Sequence, residues 1–327
     1  MSFQKFYPSI FGTLFLVLFI LSSNSFAQRP TPTPTVNVFQ ENREMPIAAG
    51  NNLYCAGYVE AESVNTGSKI VGAENEQEKF TYVQGDNVYI NLGANRGVKV
   101  GDKFSVIRPR GQVETRWSRK RNLGFYVQEV GNLEVVKVKN DVSVARINYS
   151  CDNFLLGDLL QPMASRTSPV FTQRPALDVF GESSGKASGR IFMARDSQEL
   201  LGREQIVYID LGAEDNVRVG DYLTIYRPLG TGNLFEKSPH ESVSARNEGF
   251  QSNRYRGGKF SNQAARKAGE QANGRVVTSE EAKSRRPQNL REVIGEMVIL
   301  NVKEKTATAV ITRTATEIHP GDNVEVQ

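Results

Sequence analysis

Apolar and β-branched residues along this chain alternate with polar ones in short runs, and Gly-Asp or Asn-Asp pairs separate the runs. Alternation with period two puts one set of side chains on a single face of a strand. Val88-Tyr89-Ile90 and Lys103 to Ile107 read this way. Leu133 to Lys139 and Val142 to Ile147 flank Asn140-Asp141, which is a hairpin signal. Met297 to Val302 and Thr306 to Ile311 repeat the pattern around Glu304-Lys305. Helix-capping patterns are lacking, apart from one short helix expected around Ser279 to Arg285. The predicted class is all-β, built from small barrels or sandwiches.

The strand pattern occurs twice. Residues 88–109 read VYINLGANRGVKVGDKFSVIRP, residues 207–228 read VYIDLGAEDNVRVGDYLTIYRP, and 12 of 22 positions are identical at an offset of 119. Residues 131–158 match 295–322 at an offset of 164, pairing Gly131 with Gly295, Val138 with Val302, Ala145 with Ala309 and Gly157-Asp158 with Gly321-Asp322. A shorter match sets Gly57-Tyr58-Val59 against Gly189-Arg190-Ile191. Self-similarity of this kind means one unit used twice. The expected organisation is a first copy at 52–163, a linker at 164–185 rich in Ser, Pro and Gly, and a second copy at 186–327. The growth in offset leaves the second copy with a long insertion at 231–290, expected to be disordered. Val100-Gly101-Asp102 and Val219-Gly220-Asp221 are expected as turns, with Gly at a positive φ and Asp bonding nearby amides, and not as metal ligands.

The start of the chain reads differently. Lys5, an apolar run from Ile10 to Leu21 and Ser25-Phe26-Ala27 form an export signal expected to be cleaved after Ala27. The run is short for a spanning helix, which needs about 20 residues. Residues 28–51 begin with Pro30-Thr31-Pro32-Thr33-Pro34-Thr35 and are expected to be a tether. Export places the protein in the periplasm or outer envelope.

Charge separates the loops from the scaffold. The formal net charge is +4, but residues 109–122 carry +4 and residues 231–290 carry +5, which leaves the rest of the mature chain at −6. Both segments follow an Arg-Pro pair, Arg108-Pro109 and Arg227-Pro228. Basic loops on an acidic scaffold attract anionic partners such as lipid headgroups, lipopolysaccharide or wall polymer. Arg110, Arg116, Trp117, Arg119, Lys120 and Arg121 are the candidate contacts, set against the alternative of a merely solvated charge run. An exported chain without a nucleic-acid-binding motif is not expected to bind nucleic acid.

Candidate chemistry is sparse. Cys55 and Cys151 lie in the first copy, opposite Ala187 and Ala315 in the second, so both are absent there together. Export and paired loss point to a Cys55–Cys151 disulfide. His240 and His319 have no Cys or His at metal spacing. Nucleophile elbows, phosphate loops and dinucleotide fingerprints are absent from the sequence, so no cofactor and no catalysis are expected.

The unit VYINLGANRGVKVGDKFSVIRP, followed by Gly131, Val138 and Gly157-Asp158, resembles the C-terminal β-domain of flagellar assembly protein T. Similar units follow LysM modules in some envelope proteins. The resemblance implies a periplasmic, non-enzymatic module that helps build or brace an envelope structure. This chain departs from that family in carrying the unit twice, without its other domains and without a LysM module. The expected function is an envelope scaffold that binds proteins or wall polymer. An anionic-surface binder and an uncharacterised wall hydrolase are the alternatives.

Overall fold

The structure is a computed structural model that describes residues 45–229 and 290–327, with Pro287 and two short pieces at 251–252 and 255–256. The expected signal at 1–27, most of the tether, the helix expected at 279–285 and nearly all of the insertion lie outside the described residues.

The all-β expectation holds. After a one-turn helix, α1 (Asn51–Tyr54), come β1 (Tyr58–Glu60), β2 (Ile70–Ala73), β3 (Asn87–Ile90), β4 (Lys103–Gln112), β5 (Phe125–Val138), β6 (Ser143–Ser150) and β7 (Leu159–Pro162). Then follow β8 (Ser188–Ala194), β9 (Ile206–Ile209), β10 (Tyr222–Pro228), the short pair β11 (Gln251–Ser252) and β12 (Tyr255–Arg256), β13 (Arg291–Val302), β14 (Ala307–Thr314) and β15 (Asn323–Val326). The first sheet runs β2-β3-β6-β5-β4-β7, with β1 added on β5. The second is a closed barrel in the order β10-β13-β14-β9-β8-β15. Read as cycles, the two orders are the same, with β2 in the place of β8, β3 of β9, β6 of β14, β5 of β13, β4 of β10 and β7 of β15.

The second sheet closes through a strand pair, and the first curls into the same barrel shape with its end strands meeting at one isolated bridge. Ile70 N donates to Asp158 O at 2.9 Å, and Ile191 N to Asp322 O at 3.0 Å. A bridge between Lys69 and Leu159 joins the ends of the first sheet, where three residue pairs join β8 to β15 in the second. Equivalent side chains fill the two cores: Ile90, Val106, Leu133, Ala145 and Phe154 in the first, Ile209, Ile225, Met297, Ala309 and Ile318 in the second. Gly131 and Gly295 sit where strands cross closely. A Cβ on Gly131 would lie 2.1 Å from Tyr149 O, and one on Gly295 would lie 2.8 Å from Arg313 O.

Two turns recur in both copies with the same side-chain bonds. Asp102 Oδ2 accepts Lys99 N and Asp221 Oδ2 accepts Arg218 N, each at 2.8 Å, so the Val-Gly-Asp motif is a turn lock. The Arg of each Arg-Pro grips the Asp of the later Gly-Asp in a bidentate pair. Arg108 reaches Asp158 with both bonds at 2.8 Å, and Arg227 reaches Asp322 at 2.6 and 2.8 Å. Each carboxylate also accepts a turn amide, from Leu155 or His319.

One expected alignment is corrected. Gly57-Tyr58-Val59 is not the counterpart of Gly189-Arg190-Ile191, because β1 is an extra strand paired with β5, while β2 holds the place of β8. Ala187 is therefore not the equivalent of Cys55. Ala315 remains that of Cys151, since Cys151 N donates to Val130 O and Ala315 N to Ile294 O, each at 2.8 Å. The segment 164–185 contains no strand but is pinned along its length. Pro169 O accepts Ile47 N, Val170 bridges Pro46, and Val179 O accepts Val293 N.

Candidate functional site

The chemistry-bearing residues of the described chain converge where the first barrel meets the second. The β4–β5 hairpin ends in a tip at 113–124 whose backbone is folded by its own hydroxyls. Trp117 N donates to Thr115 Oγ1 at 3.1 Å, and Lys120 N to Ser118 Oγ at 3.0 Å. These local bonds give the tip a fixed shape without regular structure. The tip lies on the second barrel. Ser118 Oγ donates to Asp210 Oδ2 at 2.7 Å, and Thr115 Oγ1 to Phe192 O at 3.4 Å. Lys120 Nζ sits 2.5 Å from Glu214 and 2.6 Å from Asp215. Burial alone would lower the Lys120 pKa, but its bonds to Asp215 and Glu214 raise it above the ordinary value. Trp117 rests on Gly321, where an added Cβ would lie 2.6 Å from Trp117 Cε3. Arg116 stacks over the Trp117 ring at 4.4 Å.

The extra strand β1 forms the second half of this clasp. Its outward carbonyls meet hydroxyls of the second barrel, with Thr306 Oγ1 donating to Val59 O at 3.0 Å and Thr308 Oγ1 to Gly57 O at 3.1 Å. Tyr208 Oη donates to Ala56 O at 2.6 Å and is hydrogen-bonded to the Tyr126 hydroxyl at 3.1 Å. Burial pushes the Tyr208 hydroxyl pKa well above its ordinary value. Lys303 Nζ pairs with Glu60 at 2.6 Å and lies 4.3 Å from the centre of the Tyr58 ring. Beneath these bonds lies a mixed apolar cluster of Ala48, Val59, Leu123, Phe192, Tyr208 and Leu300, drawn from both barrels and from the segment that precedes the first. Polar groups satisfied over an apolar centre are what a permanent interface requires.

The disulfide holds β1 in position. Cys55 and Cys151 are bonded, with Cα atoms 5.6 Å apart. The adjoining Glu129 is buried, receives Gly57 N at 3.0 Å and pairs with Arg166 through both guanidinium nitrogens. A small polar cavity of about 200 Å³ lies beside the disulfide, lined by Tyr126, Gln128, Glu129, Arg195 and Asp196. Glu129 is already engaged there. No group of three or more His, Cys, Asp or Glu among the described residues is arranged to hold a metal.

The six candidate anion contacts therefore divide. Trp117 and Lys120 are engaged within the molecule. Arg110 bonds Gln128 at 2.6 Å and lies 3.9 Å from Asp152. Arg116, Arg119 and Arg121 are exposed. Reasoning from sequence missed Tyr208, Thr306, Thr308, Lys303 and the Glu214-Asp215 pair. A signal was present at the repeat mismatches: Thr306 and Thr308 stand where the first copy has Val142 and Val144, and Glu214-Asp215 where it has Asn95-Arg96.

Residues 85–160 match the family model of flagellar assembly protein T, C-terminal domain. The match runs from just before β3 into β7. No curated protein matches the chain. Among the described residues, no helix is long and apolar enough to cross a membrane.

Proposed function

We propose that this chain is an exported, non-enzymatic scaffold of the cell envelope that serves flagellar assembly, holding partner proteins at a fixed separation on two β-units. The units are 52–163 and 186–327, joined through 164–185. The observation that carries this reading is the clasp. A tandem repeat joined by a flexible linker brings two binding faces together only on average. Here β1, held in place by the disulfide, and the hairpin tip fix one unit on the other, which suits a brace. The match of residues 85–160 to a flagellar assembly domain supports the process. Deleting the gene in its own host tests it: flagella per cell and swimming should fall and return on complementation. Unchanged flagellation would overturn the flagellar reading. A mature chain beginning at Gln28 in the periplasmic fraction would support export, and an uncleaved cytoplasmic chain would refute it.

A second reading rests on Arg116, Arg119 and Arg121, which remain exposed on the hairpin tip. They offer an anionic surface three cations beside the Trp117 anchor. Binding to vesicles containing anionic phospholipid, lost at high salt and on changing all three arginines to Gln, would support it. Equal binding by the triple variant would exclude it.

A further inference from the structure

The receiving face of the second barrel has an uncovered counterpart on the first. Across β8, β9, β14 and β13 the register aligns Met193, Tyr208, Thr308 and Asn301, with Phe192 and Leu300 at the adjoining bulges. The same register across β2, β3, β6 and β5 aligns Gly72, Tyr89, Val144 and Lys137, with Val71 and Val136 at the bulges. In the second barrel Phe192, Tyr208 and Leu300 are only 3%, 1% and 6% exposed, because β1 and the hairpin tip cover them. In the first, Val71, Tyr89 and Val136 are 44%, 37% and 47% exposed. Gly157, the counterpart of Gly321, has open space among the described residues where Gly321 carries Trp117.

The docking end is also displayed a second time. In the first barrel that end is the start of β5, flanked by β1, with Tyr126 in contact with Tyr208 at 5.3 Å between ring centres. The matching end of the second barrel is the start of β13. Leu290 stands there in the place of Tyr126, and the 178–182 segment runs alongside, with Gly181 O accepting Arg291 Nε at 3.0 Å. At this end Phe180, Leu229 and Leu290 are 83%, 45% and 46% exposed. Apolar side chains exposed together at both ends of a soluble fold mark interaction surfaces. Charge agrees with the pairing. Exposed Asp178, Glu182 and Glu292 rim the docking end, while exposed Arg96, Lys137 and Lys139 rim the receiving face alongside Asp141 and Glu76, whose Oε2 lies 3.4 Å from where a Cβ on Gly72 would stand. Arg96 stands where the second barrel has Asp215, the partner of Lys120. The vacant face thus has the sign opposite to the occupied one at that position.

We infer that the chain associates head to tail with a second copy of itself. The Phe180–Leu290 end of one molecule's second barrel seats on the Val71–Tyr89–Val136 row of the next molecule's first barrel. The contact repeats between molecules the strand-end half of the arrangement already present within one, with the start of β13 and the 178–182 segment in the place of the start of β5 and β1. Such an interface uses two different surfaces, so each added molecule leaves one of each open, and association continues to a ring or filament. It goes beyond the flagellar reading and does not depend on it, since the purified chain alone would display it.

The test is sedimentation of the purified mature chain from about 1 µM to about 1 mM, the range in which weak specific contacts saturate. The weight-average mass should climb past that of a dimer and fall back with added salt. Val136→Glu removes the receiving face and Phe180→Glu the docking end, so each variant alone should remain monomeric. Mixed in equal amounts, they should form dimers and nothing larger, because one retains an intact docking end and the other an intact receiving face. Tyr89→Glu and Leu290→Glu serve as second variants should either of the first pair melt below the wild type. A wild-type chain monomeric throughout, or a variant mixture that stays monomeric while the wild type associates, would overturn the inference. Loss of flagella in cells with a monomeric purified chain would refute the self-association alone.

Discussion

Trp117 of the first barrel lies against Gly321 of the second, so closely that no Cβ fits between them. Gly321 has a φ of 103°, and its counterpart Gly157, with a φ of 92°, has open space above it among the described residues. Alanine at either position meets the same unfavourable backbone region, costing about 1 kcal/mol. At Gly321 it also collides with the indole, an overpacking that adds about 1–3 kcal/mol. Denaturant midpoints should fall further for Gly321→Ala than for Gly157→Ala. In a Trp117→Ala background the excess should vanish, because the colliding ring is gone.

The hydroxyls of the clasp set an alkaline limit. Burial pushes Tyr208 well above the ordinary value for a tyrosine, and burial, then the charge of Glu129, push Tyr58 up to about 12. In the unfolded chain both lose their protons near pH 10. The folded state then holds more protons than the unfolded one, so these groups contribute full stability below pH 10 and lose it as pH rises toward 12 and beyond. Thermal melts should show a steep fall above pH 10 that is smaller in Tyr208→Phe. At neutral pH that variant should be about 1–2 kcal/mol less stable, since Ala56 O loses its donor. An identical alkaline slope in the variant would refute the assignment.

The two Arg–Asp locks should behave alike because they occupy equivalent positions. Both carboxylates are buried, and each is held by two parallel bonds from one guanidinium. Removing one partner leaves a poorly compensated charge, at a cost of about 3 kcal/mol. Arg108→Lys and Arg227→Lys should recover little of this, because an ammonium cannot make the planar two-bond contact. Chemical denaturation of the four variants, Ala and Lys at each position, measures it directly. Full rescue by Lys would contradict the bidentate account.

The disulfide closes a loop between residues 96 positions apart. The chain-entropy model gives about 4–5 kcal/mol for a loop of this size, as an upper figure. Its loss should also have a local signature, since Cys55 precedes β1 and so anchors half of the clasp. In the Cys55→Ser, Cys151→Ser double variant, amide exchange should accelerate at Tyr58 to Glu60 and at the hairpin tip before it does in the core of either barrel. Uniform acceleration would show that the bridge acts on global stability only.

Sequence revealed the architecture wherever two copies could be compared. Val88-Tyr89-Ile90 and Val207-Tyr208-Ile209 mark the same strand because each barrel core needs the same inward faces, and such faces repeat with the fold. The false match at Gly57-Tyr58-Val59 has the opposite cause. A Gly followed by a short β-branched stretch suits many edges, and only long-range bonds such as Ile70 N to Asp158 O decide which strand closes a barrel. The clasp was hidden for a related reason. Thr308 reads as an ordinary polar residue of a strand until its acceptor, Gly57 O, is found 251 residues away. Lys120 reads as a member of a basic run until Glu214 and Asp215 are found beside it. Differences between the copies, more than their likenesses, located the interface.

The clasp should hold the two equivalent barrels as one rigid body. Residual dipolar couplings of the aligned protein measure this most directly, with one set fitted for 52–163 and another for 186–229 and 290–327. A single alignment tensor that fits both sets is the predicted result. Two tensors of different magnitude would mean that the barrels reorient independently and that the clasp does not hold in solution.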